Sequence, residues 1–453
     1  MSRKGGDRAD GSGRVVGLKG GLGVVRGAGA RQPVVAAVDL GASKIGCFIM
    51  KPDGVDRDAR EVQAAGVAHV RSEGIKAGAI VDIEACGRAL VQAVERAEAM
   101  AGVTVSAITV VTATGQLMSH RVTSAVSLSA RPIADADLSR ALQLALAQTR
   151  FTGRRAIHLL PVAWSVDGHR GVRDPRNMFG RQLGLELLVV TMAEPAYANL
   201  AQCVELNHLQ LEGVVAAPLA SALAALEDDE MDLGCLCIDM GGGSTSAAVF
   251  QNGSLVHVDS APVGGSHVTA DIARGLSTTI AGAERIKTLH GSAMASPNEE
   301  RGMIEAPPRG DDPGAGPVVA PRSLLKGIVA PRVEETLELL RDRLRQSGAP
   351  LEPGAGIVLT GGASQLSGAR ETAVRVFDRP VRLGRPRRAP HLADAAAGPA
   401  FCAVAGVLQR HAFGPREVAT QKLARARVES SAHSVDADAN VIVRAAGWLR
   451  ANL

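Results

Sequence analysis

Aromatic side chains are scarce in this chain: seven Phe, two Trp and one Tyr make up 2% of 453 residues. Any sizeable core must be filled by aliphatic and small side chains, and a surface that stacks nucleic-acid bases on rings lacks its material. Charge of one sign is also lacking, since the formal net charge is only +4. A polyanion partner such as nucleic acid is therefore not expected. No uninterrupted apolar stretch approaches the roughly eighteen residues that a membrane-crossing helix needs. No charged-then-apolar leader opens the sequence, so a cytosolic protein is expected. The eleven histidines contain no H-E-x-x-H pattern. Of the six cysteines, Cys235 and Cys237 stand too close together for a metal knuckle. All six read as buried small hydrophobes, and no structural zinc is expected.

What is present is length, an ordinary soluble composition and a repeated phrase. Hydrophobic residues make up 46% and charged residues 21%, enough for two or more domains with substantial cores. Val38-Asp39-Leu40-Gly41-Ala42-Ser43 is echoed about two hundred positions later by Ile238-Asp239-Met240-Gly241-Gly242-Gly243-Ser244-Thr245. Each copy lies between two apolar runs, so each predicts a strand, a tight glycine turn and a returning strand. Glycine lets backbone N–H groups converge on an anion, and the leading carboxylate can hold a hydrated magnesium ion beside it. Two such hairpins facing each other would grip a nucleotide's phosphates from both sides. A third element, the strand-like run 356–360 followed by Gly361, Gly362, Ala363 and Ser364, offers another close backbone approach.

Between these motifs the pattern predicts alternating strands and helices. Asp82 reads as the N-cap of a helix that ends at Gly102, and 103–114 as the strand after it. A further helix is expected from Asp135 to about Gln148, with strands at 157–164 and 185–190. The segment 195–211 reads as an amphipathic helix, 213–216 as a short strand and 218–226 as a helix. The acidic run Glu227-Asp228-Asp229-Glu230 reads as a solvated loop. The Pro- and Gly-rich stretch 291–322 reads as an exposed excursion. Pro331 is expected to break or kink the helix that follows.

Together these motifs resemble the nucleotide site shared by actin, sugar kinases and heat-shock chaperones. The stretch 281–287 looks like that superfamily's adenosine-contacting helix, with Glu284 and Lys287 facing the ribose and base. Over about 33–453 the chain is similar to the FtsA family of actin-like bacterial cell-division proteins. The fold class implied is α/β: two actin-like (ribonuclease-H-like) lobes around a nucleotide cleft, with an inserted small subdomain in the first lobe. The expected organisation begins with a basic tail (1–32), the first lobe (33–112 and 192–232) and the insert (113–191). It continues with the second lobe (233–380, with a smaller subdomain at about 285–345), closing helices (381–413), a linker (414–440) and a terminal helix (441–453). The N-terminal tail falls outside the family's usual pattern.

The resemblance implies binding of ATP and magnesium, the metal held through water by Asp39 and Asp239. Backbone amides of Gly41, Ala42, Ser43, Gly242, Gly243 and Ser244 are expected around the phosphates, beside Gly241 and with a hydroxyl from Thr245. Lys44 is left with two directions, toward the phosphates or toward solvent. Gly361, Gly362 and Ser364 are expected under the adenosine. Related chaperones and actin-like filament proteins start the corresponding helix with a Glu-Pro pair whose Glu positions water. This chain has Ala217-Pro218 there, so at most weak or slow ATPase activity is expected.

The implied partners are the tubulin-like division GTPase FtsZ, other division proteins and further copies of the chain in a filament. Inner-membrane lipid at the division site is the fourth. Residues 441–453 carry their own physical case for lipid: a helix there would gather Val441, Ile442, Ala445, Trp448, Leu449 and Leu453 on one side, with Arg444 and Arg450 toward the other. At about 1.5 Å per residue it is near 20 Å long, enough to lie in an interface but not to cross the core. Its gross apolar gain, at roughly 25 cal/mol per Å², is a few kcal/mol, so stable attachment needs several tails together. Two alternatives stay open: a small-molecule kinase of the same fold, and an actin-like scaffold of type IV pilus assembly.

Overall fold

Scarcity of rings leaves close packing to small residues. In the computed structural model, which describes residues 34–52, 62–149, 151–294, 302–309, 316–387 and 396–413, helix Ile83–Ala101 lays Cys86, Leu90, Ala93, Val94 and Ala97 on the first sheet. A Cβ added at Gly66 would overlap the backbone of Ala97, so strand and helix meet at a distance that only glycine permits. Asp82 caps this helix, accepting from Ala85 N at 3.0 Å, and Gly102 closes it at φ 63°. Helix Cys402–Phe413 meets helix Ala217–Ala225 just as closely, with Gly406 against the Ala220 carbonyl.

Two sheets repeat one pattern. The first runs in the order Gln210–Ala216, Ala107–Thr112, Val35–Leu40, Lys44–Pro52, Val62–Arg71. The second starts Val381–Leu383, Gly356–Thr360, Cys235–Met240, Thr245–Gln251, Ser254–Ala261. In both, two parallel pairings are followed by two antiparallel ones, and the aspartate hairpin stands at the centre. Asp39 pairs in register with Gly46, and Asp239 with Ser246. One aliphatic core packs on the first sheet and takes in one face of the second, another covers the second sheet's opposite face, and a third cluster fills the segment between Ile133 and Val189.

That third region lies within the first lobe in chain order but joins the second lobe's sheet in space. Its strands Met118–Ser127, Gln182–Ala193, Arg154–Val166 and His169–Val172 extend the second sheet to nine strands. The joint is a single bridge, Asp259 with Met118, reinforced by Ser119 Oγ, which contacts Val258 N at 2.7 Å and Val258 O at 2.9 Å.

Several local expectations are corrected. The helix expected over 195–211 stops at Glu205, because His208 turns the chain at φ 59° into strand Gln210–Ala216. Helix Arg322–Gln346 runs through Pro331 without interruption; its buried row Leu325, Val329, Val333, Leu337, Leu340 and Leu344 outweighs one missing N–H. The acidic run forms a helical turn, Asp228–Leu233. Arginine draws it onto the fold: Glu230 pairs with Arg382, and Asp228 lies 3.3 Å from Arg387. Within the expected excursion, Met303–Ala306 and Val318–Pro321 form a hairpin. The basic tail, the linker 414–440 and the terminal helix 441–453 lie outside the described residues.

Candidate nucleotide cleft

The two aspartate hairpins meet over a cleft of about 570 Å³ at the ends of the central strands. Asp39, Gly41, Ala42, Ser43 and Lys44 line it from one side, and Asp239, Gly241, Gly242, Gly243 and Ser244 from the other. The turns touch. A Cβ on Gly242 would stand 3.1 Å from Ser43 Cβ, and one on Gly243 would stand 2.7 Å from Ala42 Cβ. Glycine here is a requirement of two backbones approaching each other.

The carboxylates share one electrostatic environment. Burial pushes Asp39 up to about 7; Lys44 pulls it down and the neighbouring Asp239 pushes it up. Burial likewise raises Asp239, against the Ser221 hydroxyl and the Lys44 ammonium. Lys44 is brought down to about 8 by burial, opposed by Asp39 and Asp239. Its side chain therefore turns inward, and its Nζ sits 3.2 Å from the centre of the Phe401 ring. Two carboxylates served by one lysine leave the site short of positive charge, a donor set that suits a hard divalent cation.

The far end of the cleft is built by helix Ile280–His290 and the glycines after strand Gly356–Thr360. Lys287 Nζ lies 2.7 Å from Glu284 Oε2 and donates to Thr269 Oγ1 at 2.9 Å. The Thr269 hydroxyl in turn lies 2.5 Å from Glu284. Glu284 and Lys287 thus enter the cleft as one preassembled pair. Gly361 and Gly362 line it as well, Gly361 at φ 88°.

Two expected residues turn elsewhere. Thr245 is fully buried and donates to Val263 O at 2.8 Å, because its place in the returning strand aims it into the lobe. Ser364 lies under the surface and donates to Gly361 O at 2.7 Å, so it shapes the glycine turn without reaching the cleft. Gly264, Gly265 and Ser266 went unread. Gly265 N and Ser266 N donate to the carbonyls of Gly241 and Gly242 at 2.9 and 2.8 Å, which ties a helix start to the second turn. Phe401 and Ser221 were missed too. Ser221 had a faint signal, one hydroxyl in an otherwise apolar helix, while Phe401 lies 357 positions away from its lysine partner.

Comparison with known proteins gives a consistent answer. Residues 236–406 match the family model described as cell division protein FtsA, and 114–191 match the SHS2 domain inserted in FtsA. A cell division protein FtsA of Rhizobium meliloti (strain 1021) is 44% identical over 384 residues, covering 83% of this chain and 87% of that protein. The corresponding protein of Pseudomonas aeruginosa (strain PAO1) is 32% identical, covering 92% and 98%. That of Escherichia coli (strain K12) is 29% identical, covering 85% and 93%. Among solved structures, a chain of the PilM-PilN type IV pilus biogenesis complex superposes with a TM-score of 0.58 at 16% identity, over 83% of this chain and 98% of that one. This last likeness concerns the fold alone.

Proposed function

The chain belongs to the FtsA family of bacterial cell-division proteins and has the actin-like fold; from that premise we propose that it binds ATP with magnesium and works as a filament-forming membrane adaptor of the division site. The observation that carries the nucleotide reading is the pair Asp39 and Asp239 in one glycine-walled cleft. A magnesium ion there would supply the positive charge that the two carboxylates lack and screen the phosphates from them. Asp39 and Asp239 would hold it. The amides of Gly41, Ala42, Ser43, Gly242, Gly243 and Ser244 offer N–H groups to phosphate oxygens, and Lys44 adds a cation that can leave Phe401. The Glu284–Lys287 pair faces the ribose and base, with Gly361 and Gly362 beneath.

Ala217 lines the cleft where the related chaperones carry a carboxylate. Without a group to orient water, turnover is slow and the nucleotide acts as a structural switch between the lobes. Attachment to inner-membrane lipid comes from 441–453, and the smaller part of the second lobe receives FtsZ. Filament formation and lipid binding reinforce each other, because each bound tail raises the effective concentration of the next.

Two experiments test these parts. Calorimetry of the full chain with ATP in magnesium buffer shows saturable uptake that Asp39→Ala with Asp239→Ala removes; no uptake by the unmodified chain overturns the nucleotide reading. Co-sedimentation with anionic liposomes retains the full chain and loses a version ending at Val435, with Trp448→Glu nearly as defective. Equal sedimentation of all three overturns the adaptor reading.

A further inference from the structure

The two cleft carboxylates are held differently. Lys44 is a counter-charge to both, and Asp239 has in addition a neutral partner: Ser221 Oγ donates to Asp239 Oδ2 at 2.5 Å. Ser221 is fully buried in helix Ala217–Ala225, among Leu219, Ala220, Ala222 and Ala224. Among the described residues its hydroxyl makes this hydrogen bond and no other. The second oxygen, Oδ1, lies against Gly361, whose missing side chain leaves it room; a Cβ at that position would overlap Oδ1. One oxygen is clamped from behind by a hydroxyl, and the other is kept clear by a glycine that lines the cleft.

We propose that Ser221 is the positioning residue for Asp239, fixing the carboxylate through Oδ2 so that Oδ1 is presented to the divalent cation. The inference rests on the nucleotide reading above and adds how this chain orients one of its two cation-facing carboxylates. A carboxylate without a fixed partner can rotate about its Cβ–Cγ bond. A hydroxyl donor locks the plane, so that the other oxygen keeps one direction. The same helix begins at Ala217 and packs through Ala220 against Gly406, so the serine is carried by a rigid element.

The test compares full-length wild type, Ser221→Ala and Ser221→Thr by thermal melting with saturating ATP, first in EDTA and then across a magnesium titration. Loss of one hydrogen bond to a charged group predicts that Ser221→Ala shifts the magnesium half-point upward about tenfold. Its melting shift from ATP in EDTA stays at the wild-type value, and Ser221→Thr, which keeps the hydroxyl, restores the half-point. An unchanged magnesium half-point in Ser221→Ala overturns the assignment. So does an equal fall in melting temperature with and without magnesium, which marks a purely structural serine. If Ser221→Ala does not fold, Ser221→Cys takes its place, its weaker S–H donor giving a half-point displaced in the same direction. A wild-type chain that shows no melting shift with ATP in either buffer removes the nucleotide reading itself, and the assignment with it.

Discussion

The first and second aspartate hairpins share strand register, turn length and place in their sheets, yet they are chemically unequal. The first carries its own cation on the returning strand, Lys44, which reaches Phe401 in the segment that enters the last described helix. The second carries no cation and depends on a serine from another element, Ser221. The turns differ as well: Gly241-Gly242-Gly243 brings three glycines where Gly41-Ala42-Ser43 brings one. Crowding explains this. The second turn also accepts the helix start at Gly265 and Ser266, so it is packed on both sides, while the first turn presents Ser43 to solvent. A duplicated backbone plan therefore sets where two carboxylates stand and leaves each lobe free to choose how they are neutralised.

The most disruptive way to break the pairing is to keep the turns from touching. Gly243→Val sets a branched side chain against Ala42 and Gly78, and nucleotide affinity measured by calorimetry is expected to fall more than about 100-fold, since the shift needed exceeds what a packed core yields. The next contrast uses a carboxylate outside the cleft. Asp137 is buried in the insert, where burial alone would raise its pKa; the Ala134 N–H with Arg131 and Arg140 outweighs that and holds it below the usual range. Its folded pKa lies under the unfolded one, so its contribution is present above the unfolded value and is lost as pH falls through the folded value. Asp137→Asn should cost about 2 kcal/mol at pH 7, read by chemical denaturation, with the gap to wild type closing in acid.

Lys44→Met sharpens the comparison from the cation's side. It removes the first hairpin's counter-charge, and ATP affinity at fixed magnesium is expected to drop about tenfold, while the change at the equivalent position of the second turn, Ser244→Ala, leaves affinity within about twofold. The smallest effect belongs to Phe401→Leu. It withdraws the ring from Lys44 but keeps an apolar filler, and a change of about threefold in ATP affinity is expected on the same assay. A larger effect would show that the ring also shapes the cleft wall.

Much of this architecture was readable in the chain. Asp82 and Gly102 mark their helix because capping is local chemistry, and the aspartate-glycine phrases announce their turns because a missing side chain permits the close approach those turns need. The glycines of those turns followed from the same rule, while Gly264 and Gly265, which also line the cleft, did not. What escaped depended on distant partners. The direction of Lys44 is set by Phe401 and two carboxylates; Thr245 and Ser364 have hydroxyls like any cleft residue, but backbone carbonyls within their own lobe claim them. Pro331 stays in its helix because neighbours bury one face along the whole length of that helix. The insert docks on the second lobe through one bridge and the side chains of Ser119, Arg121 and Ser254, which no local pattern singles out.

By itself, then, the sequence determined the elements, the two carboxylate turns, the family and the amphipathic pattern of 441–453, because each is written in neighbours a few positions apart. Only the tertiary structure decided that the turns face each other, that one lysine serves both aspartates while a serine clamps the second, and that the insert extends the opposite lobe's sheet. Those outcomes depend on burial and on contacts between residues 18 to more than 350 positions apart, and it is there that a side chain's charge and direction are settled.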